Sequence, residues 1–160
     1  MLASRGSDGV AVRSRKRVKI RKGASKTRRR SGPTPRLLRP VRLLKPIQDA
    51  LSVDLLHPNY AASPNQLYYG CVGHCYIATE AAYHLFARNR GFVSYTRRND
   101  NGTTHWWLYN ERTGRILDPS EPQLDGDPYP YDEGHRQAFL TKRPSRRAAE
   151  LIRRVKSASR

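Results

Sequence analysis

The sequence predicts an α+β fold: a helix packed on a small antiparallel sheet, a basic C-terminal helix and a basic N-terminal arm. Apolar side chains recur at helical spacing behind Cys75, and β-rich segments separated by turn residues follow that helix. Charge is uneven, with sixteen Lys and Arg against one acid in residues 1–46 and seven against eleven in residues 47–141. We therefore predict a Pro-punctuated basic arm over 1–46 and a single domain over 47–160.

The predicted central helix begins near Cys75, directly after a turn that contains two glycines. No Gly or Pro interrupts the following run until Gly91, which can end the helix. The residues that fall on one face at the 3.6-residue period are Ala78, Ala81, Ala82 and Leu85. Cys75 thus lies in the first turn, where unpaired backbone N–H groups and the helix dipole favour the thiolate form of a cysteine.

An antiparallel meander is predicted after this helix. Residues 91–96 and 103–109 are rich in β-branched or aromatic side chains, and residues 115–118 are expected to form a short third strand. The dipeptide Asn101-Gly102 is a strong hairpin signal between the first two strands, and Pro119 closes the third.

Weaker patterns describe the remaining segments. Four prolines between residues 33 and 46 predict an extended stretch, and a short helix is expected over 47–56. Residues 138–141 are expected to form an edge strand. Ser145 is a good N-cap for a final helix whose apolar stripe contains Ala148, Leu151, Ile152 and Val155. Tyr129 and Tyr131 are expected to pack onto the domain.

Side-chain alternation suggests a catalytic arrangement around His105. It places His105, Trp107 and Tyr109 on one face of their strand, and Trp106 and Leu108 on the other. The next hairpin brings Asp118 close to the register of His105.

If the His105 face covers the start of the helix, His105 can act as the base for a Cys75 nucleophile. Asp118 then orients the imidazole ring. The oxyanion donors would be the backbone N–H of Cys75 or Tyr76 together with the amide of Gln66 or Asn65.

These segments resemble the papain-like superfamily, and within it the transglutaminase-like small thiol hydrolases. The similarity covers about residues 64–120 and consists of short motifs: Gly73-His74-Cys75-Tyr76 opening a helix, Thr104-His105-Trp106-Trp107-Leu108 on a strand, and Leu117-Asp118-Pro119 closing the next. The resemblance implies Cys75 as nucleophile, His105 as base and Asp118 as orienting group. The chain also has features of a small phage-encoded protein.

Two other interpretations of the same residues compete with the thiol site. Cys75 can be an inert core cysteine and His105 an ordinary strand histidine, because free cysteine is among the most buried residue types. Cys71, His74, Cys75 and His105 also supply four potential zinc ligands, but three ligands within five residues is not the usual spacing of a zinc site. We expect no metal and no cofactor.

The arm is expected to be disordered alone and to bind nucleic acid or another polyanion, because Lys and Arg clusters release counterions from phosphates. The alternative is a solubilising tail or a nuclear-type address. The residues expected to make these contacts are Arg13, Arg15, Lys16, Arg17, Lys19, Arg21, Lys22, Lys26, Arg28, Arg29 and Arg30.

Together these features predict cysteine-dependent acyl chemistry on an amide: peptide or isopeptide hydrolysis, deamidation or acyl transfer. The arm would localise the activity to nucleic acid or a nucleoprotein particle, with a protein or peptide substrate. The alternative is a non-enzymatic structural protein of a virion or ribonucleoprotein. No membrane partner is expected, since no apolar run approaches 18 residues. The N-terminal residues contain no secretory apolar region, so a cytoplasmic, nucleoid or virion location with reduced cysteines is expected.

Overall fold

The computed structural model describes residues 33, 35–60, 72–124 and 128–159. All of the described residues belong to one compact unit, which lies within Ser31–Arg160. The arm cations from Arg13 to Arg30, as well as Asn65, Gln66 and Cys71, therefore lie outside the described residues.

A five-stranded mixed sheet forms one layer of the domain. The strands are β1 (Arg36–Leu38), β2 (Val93–Arg98), β3 (Thr104–Asn110), β4 (Arg115–Leu117) and β5 (His135–Arg136). Their spatial order is β1-β4-β3-β2-β5; β1 pairs in parallel with β4, and the other pairs are antiparallel. The predicted β2–β3–β4 meander is confirmed, whereas the purely antiparallel sheet is not, because the N-terminal strand β1 joins it in parallel.

In the part of the chain that the structure describes, three α-helices accompany the sheet: α1 (Val41–Asp49), α2 (Cys75–Ala82) and α3 (Arg146–Ala158). The helix predicted behind Cys75 is confirmed, and it continues through a π-helical turn, Tyr83–Ala87, and a 3₁₀ turn, Arg88–Arg90. Gly91 ends it with a positive φ of 75°, a conformation that favours glycine. Among the described residues, none of the helices has the length and apolar character that a membrane span requires.

The apolar core lies between α2, α3 and one face of the sheet. Ala78 and Ala81 of α2, Leu108 of β3, Leu117 of β4 and Leu151 of α3 are almost fully buried in one cluster. Thr79 also donates a hydrogen bond from Oγ1 to the carbonyl oxygen of Trp106 (2.9 Å). From Ile77 onward, helix α2 is therefore covered on all sides, which explains why Thr79 and Glu80 are buried as well.

The first helix differs from the prediction. The sequence predicted an extended segment to Pro46 and a helix over 47–56, but α1 spans Val41–Asp49 with Pro46 inside it. Leu44 and Ile47, three residues apart, are buried in the core. Burying each side chain contributes about 1.5–3 kcal/mol, which offsets the backbone hydrogen bond that Pro46 cannot make. Ordered elements thus begin before the predicted boundary at residue 46.

The predicted edge strand over 138–141 is wrong. The edge strand is β5, where His135 and Arg136 pair with Thr96 and Tyr95 of β2. The ring of Phe139 instead packs on Trp106, with 6.0 Å between ring centroids. Aromatic packing therefore turns this segment away from the sheet edge.

The C-terminal helix agrees with its prediction. Ser145 caps α3, its Oγ accepting a hydrogen bond from the backbone N–H of Ala148. Ala148, Leu151 and Val155 of the predicted stripe are buried. Glu80 of α2 extends this cap, because its fully buried carboxylate accepts hydrogen bonds from Ser145 N (3.0 Å) and Ser145 Oγ (2.6 Å).

Candidate active site

Cys75 is the first residue of α2, and its position is fixed by the turn that precedes it. Gly73 has a φ of 77° and lies so close to Tyr60 that a Cβ would be 3.0 Å from that side chain. His74 is fully buried and donates from Nε2 to the carbonyl oxygen of Ser52 (3.0 Å). The buried imidazole of His74 therefore anchors the entry into the helix, while the half-buried Cys75 remains at its start.

His105 is the second residue of β3 and is 2 % exposed. Its ring stacks on Trp107 (6.0 Å between centroids, 24°) and meets the edge of Tyr129 (4.7 Å, 64°). Thr96 Oγ1 donates to the backbone oxygen of His105 (2.8 Å). Packing on both sides thus holds the imidazole in one orientation.

Asp118 follows β4 and is 1 % exposed. Its Oδ2 accepts hydrogen bonds from His105 Nε2 (2.6 Å) and from the Tyr131 hydroxyl (2.9 Å). Its Oδ1 accepts from the backbone N–H (2.9 Å) and the hydroxyl (3.0 Å) of Ser120. Four donors therefore surround this carboxylate, which compensates for its removal from water.

The strand register explains how His105 and Asp118 meet. Leu108 of β3 is paired with Leu117 of β4. Asp118 is one residue further along, so its side chain lies on the face opposite to Leu117. This is the face of His105, and the two residues are diagonal neighbours on it. This agrees with the sequence prediction that Asp118 lies near the register of His105. Gln48 Nε2 of α1 further holds the turn after Asp118 by donating to the carbonyl oxygen of Pro119 (3.0 Å).

The sheet face that the helix covers differs from the expectation. The expected contact between Cys75 and His105 assumed that the His105 face covers the start of α2, but α2 packs against Trp106 and Leu108 on the other face. Instead, Cys75 meets β3 at the beginning of the strand, with Sγ 3.4 Å from the carbonyl oxygen of Thr104. Cys75 and His105 therefore approach each other around the end of the strand.

The electrostatic setting of His105 favours its charged form. Burial disfavours an imidazolium ion, but the negative charge of Asp118, its hydrogen bond and the contact with Cys75 together raise the pKa of His105 from 6.5 to about 10. Because Nε2 is bound to Asp118, Nδ1 is the ring nitrogen left to meet the Cys75 sulfur. An imidazole with a raised pKa therefore lies beside the Cys75 thiol.

A cleft of about 430 Å³ opens beside the sulfur. Trp106 lines it, as expected for the one tryptophan of the pair that is not fully buried. The described residues along its walls are otherwise mainly small or polar, and they include His57, Tyr60, Gly73, Asn99, Asn101, Thr103, Leu124 and Arg147. This volume falls within the range of about 300–1,000 Å³ that is common for ligand pockets.

The described residues place backbone amides at the start of α2, next to Cys75, where the sequence predicted oxyanion donors. The helix's i→i−4 ladder includes Ala78 N donating to His74 O (2.9 Å), and the amides of Cys75 and Tyr76 precede it. Gln66 and Asn65 lie outside the described residues, so their predicted role stays a prediction. A thioester or tetrahedral oxyanion on Cys75 would form next to these amides.

Sequence reasoning missed three residues that support the site. Ser120 forms an Asx-type turn with Asp118, and the Asp-Pro-Ser sequence carries that signal. Tyr129 and Tyr131 pack onto the domain as expected, but their contacts with His105 and Asp118 had no sequence signal. Both belong to a segment whose position depends on tertiary packing.

The two histidines of the alternative zinc set have other partners. His74 Nε2 bonds to Ser52, and His105 Nε2 bonds to Asp118. Within residues 33, 35–60, 72–124 and 128–159, no three His, Cys, Asp or Glu side chains are grouped so that they could hold a metal ion. Cys71, the remaining member of that set, lies outside these ranges.

Comparison with models of known protein families finds no match, and comparisons with curated proteins and with solved structures find none either. The geometry of the site is therefore the basis for assigning a function.

Proposed function

We propose that this chain is a thiol-dependent enzyme of the papain-like, transglutaminase-like kind that acts on amide bonds. The observation that carries the proposal is the buried 2.6 Å pair between His105 Nε2 and Asp118 Oδ2, adjacent to a cysteine at a helix start. In the proposed roles, Cys75 is the nucleophile, His105 the acid–base and Asp118 the orienting group.

The arrangement supports a two-stage acyl reaction. The Cys75 thiolate attacks the amide carbonyl carbon, and the carbonyl electron pair moves onto oxygen beside the α2 backbone amides. As the carbon–nitrogen bond breaks, the His105 imidazolium donates its proton to the leaving nitrogen, which leaves a thioester on Cys75. Water or an amine, deprotonated by His105, then attacks the thioester and releases the acid or a new amide.

Two features support this role over that of a structural cysteine. Cys75 borders the cleft instead of being sealed in the apolar cluster. The pair of His105 and Asp118 is almost completely buried, and burying charged groups costs several kcal/mol per ion before their attraction is counted. Strongly perturbed titratable pairs of this kind cluster at functional sites, where the imidazole takes part in proton transfer.

The pH dependence of Cys75 alkylation tests the proposal. Iodoacetamide reactivity is measured from pH 5 to 9 in a Cys71→Ser background, with and without His105→Ala. We expect the parent to react with a midpoint well below the free-thiol value of about 8.5, and the His105→Ala protein to lose this low-pH reactivity at least tenfold. His84→Ala is the matched control, since His84 lies beyond α2 in the π-helical turn.

Slow alkylation with a midpoint near that of a free thiol, indifferent to His105→Ala, would contradict the proposal. The cysteine would then be structural, and a nucleic-acid-associated scaffold would account better for the chain. Circular dichroism of each variant separates loss of reactivity from loss of fold.

We further propose that the N-terminal arm directs this activity to nucleic acid. The support is the charge of residues 1–46, which carry sixteen cations and one acid. Replacing the eleven Lys and Arg residues between 13 and 30 by Gln should weaken nucleic-acid binding and flatten its dependence on salt. Removing residues 1–30 is a second variant, which spares Pro33, whose carbonyl oxygen accepts from the Tyr109 hydroxyl. Unchanged binding in both variants would exclude the role of the arm.

A further inference from the structure

The described lining of the cleft beside Cys75 carries a positive charge and no carboxylate. Among the described residues that line it there is no Asp, Glu or Lys, and Arg147 is the one Arg. The cleft therefore offers a permanent positive charge without a lining carboxylate from its described walls.

Arg147 is held in place by the same helix that carries the nucleophile. It is the second residue of α3, and the start of α3 is fixed to α2 through the carboxylate of Glu80 and the backbone and hydroxyl of Ser145. Its Nη1 donates to the carbonyl oxygen of Leu55 (3.4 Å). Cys75 and Arg147 are thus positioned by one connected set of contacts.

Two other cations of α3 have acidic partners. Arg153 pairs with Glu150, and Arg154 pairs with Glu150 and Asp54. Within the described part of the chain, no carboxylate lies within ion-pair distance of Arg147. Its guanidinium group therefore retains donors for a ligand in the cleft, and its planar geometry suits a carboxylate.

We infer that Arg147 is a specificity residue that selects substrates bearing a carboxylate close to the amide under attack. This inference rests on the proposed function, because it assigns the substrate class of the same cleft. An acidic side chain or a chain-terminal carboxylate would pair with Arg147 while the amide carbonyl carbon faces Cys75. A substrate with a cation at that position would be disfavoured by repulsion.

Two alkylating agents of nearly equal size test this inference without knowledge of the natural substrate. Iodoacetate carries a carboxylate and iodoacetamide is neutral, so the ratio of their rates at Cys75 reports how well the cleft accepts a negative charge. In the Cys71→Ser background, we expect Arg147→Gln to lower the iodoacetate-to-iodoacetamide ratio about fourfold, as expected for loss of one unit charge in a partly exposed site. The rate with iodoacetamide should be unchanged.

Matched variants make the result specific. Arg146→Gln removes the same charge from the preceding, exposed residue, which does not line the cleft, and should keep the parental ratio. Arg147→Lys should restore most of the ratio, which also shows that the fold survives substitution. Glutarate should protect Cys75 from iodoacetamide more strongly than glutaramide in the parent, and this preference should be lost in Arg147→Gln.

The outcomes separate this inference from the proposed function. An unchanged ratio in Arg147→Gln, or an equal fall in Arg146→Gln, would overturn the role of Arg147 while leaving the nucleophile intact. Slow iodoacetamide alkylation in the parent would refute the proposal that Cys75 is a nucleophile. If the iodoacetate-to-iodoacetamide ratio still fell in Arg147→Gln, the anion preference of the cleft would nevertheless be upheld.

Discussion

Two buried carboxylates in this domain have nearly the same exposure but different partners. Glu80 lies in the middle of α2, fully buried, and its oxygens accept hydrogen bonds from Ser145 at the start of α3. Asp118 follows β4 on the other side of the sheet, where it accepts hydrogen bonds from His105, Ser120 and Tyr131. The first carboxylate joins two helices, and the second holds a titratable ring beside a thiol.

The comparison shows that burial of a charge does not by itself identify a functional residue. Both carboxylates need hydrogen-bond donors, because an unpaired buried charge would cost several kcal/mol. What distinguishes Asp118 is a partner, His105, that can exchange a proton beside the Cys75 thiol. We therefore expect substitutions at the two sites to affect different measurements.

The largest expected effect is on stability, at the Glu80 site. Glu80→Ala leaves the N–H and hydroxyl of Ser145 without their buried acceptor and should lower the free energy of unfolding by about 3 kcal/mol. Chemical denaturation measures this loss, and Glu150→Ala on the exposed side of α3 is the control. Folded Glu80→Gln protein should keep the parental rate of Cys75 alkylation. A large loss of reactivity there would break the distinction between the two carboxylates.

The next effect is on reactivity, at the Asp118 site. Asp118→Asn keeps the shape of the side chain but removes the charge that stabilises the His105 imidazolium. We expect the rate of Cys75 alkylation at pH 6 to fall about 100-fold, within the range attributed to acid–base groups. Iodoacetamide kinetics in the Cys71→Ser background measure it. If Asp118→Asn reacts as fast as the parent, Asp118 is a structural carboxylate like Glu80.

The pH dependence of stability should also separate the sites. Since the pKa of His105 is raised in the folded protein, the stabilisation from its charged form is complete below about pH 6.5 and is lost as the pH rises through about 10. The difference in unfolding free energy between the parent and Asp118→Asn should therefore shrink over this range. Comparing the two proteins cancels the titration of groups that they share. A difference in unfolding free energy that grows with pH would contradict the raised pKa of His105.

The smallest expected effect concerns the support of Asp118. Tyr131→Phe removes a single hydrogen bond to Oδ2 and should cost about 1 kcal/mol of stability, with a severalfold loss of low-pH alkylation. Tyr95→Phe is the matched control, because the Tyr95 hydroxyl donates to the exposed Glu111 instead. Equal effects of the two substitutions on alkylation would show that Tyr131 does not position the pair.

The parts of the site that follow local periodicity could be predicted from the sequence. Alternation along β3 and the β3–β4 hairpin place His105 and Asp118 on one face, and the apolar spacing of α2 places Cys75 at its start. These rules depend on neighbours along the chain.

Contacts between distant segments could not be predicted. Glu80 finds its partner Ser145 across 65 positions, and Tyr131 reaches Asp118 through a loop without periodicity. The start of α1 was misplaced because the burial of Leu44 and Ile47 outweighs the local preference of its prolines. In each case, tertiary packing determines the contact or the helix boundary, and local propensity does not.

The protonation of the His105 ring tests the central claim most directly. Nitrogen-15 NMR of the imidazole reports the charge of His105 between pH 5 and 11, in Cys71→Ser protein and in variants that add Cys75→Ala or Asp118→Asn. We expect His105 to lose its proton near pH 10 in the first protein, at a lower pH without Cys75, and at a much lower pH without the Asp118 charge. A midpoint near 6.5 that neither substitution moves would show that the three residues are neighbours without chemical coupling, and the proposed thiol enzyme would fail.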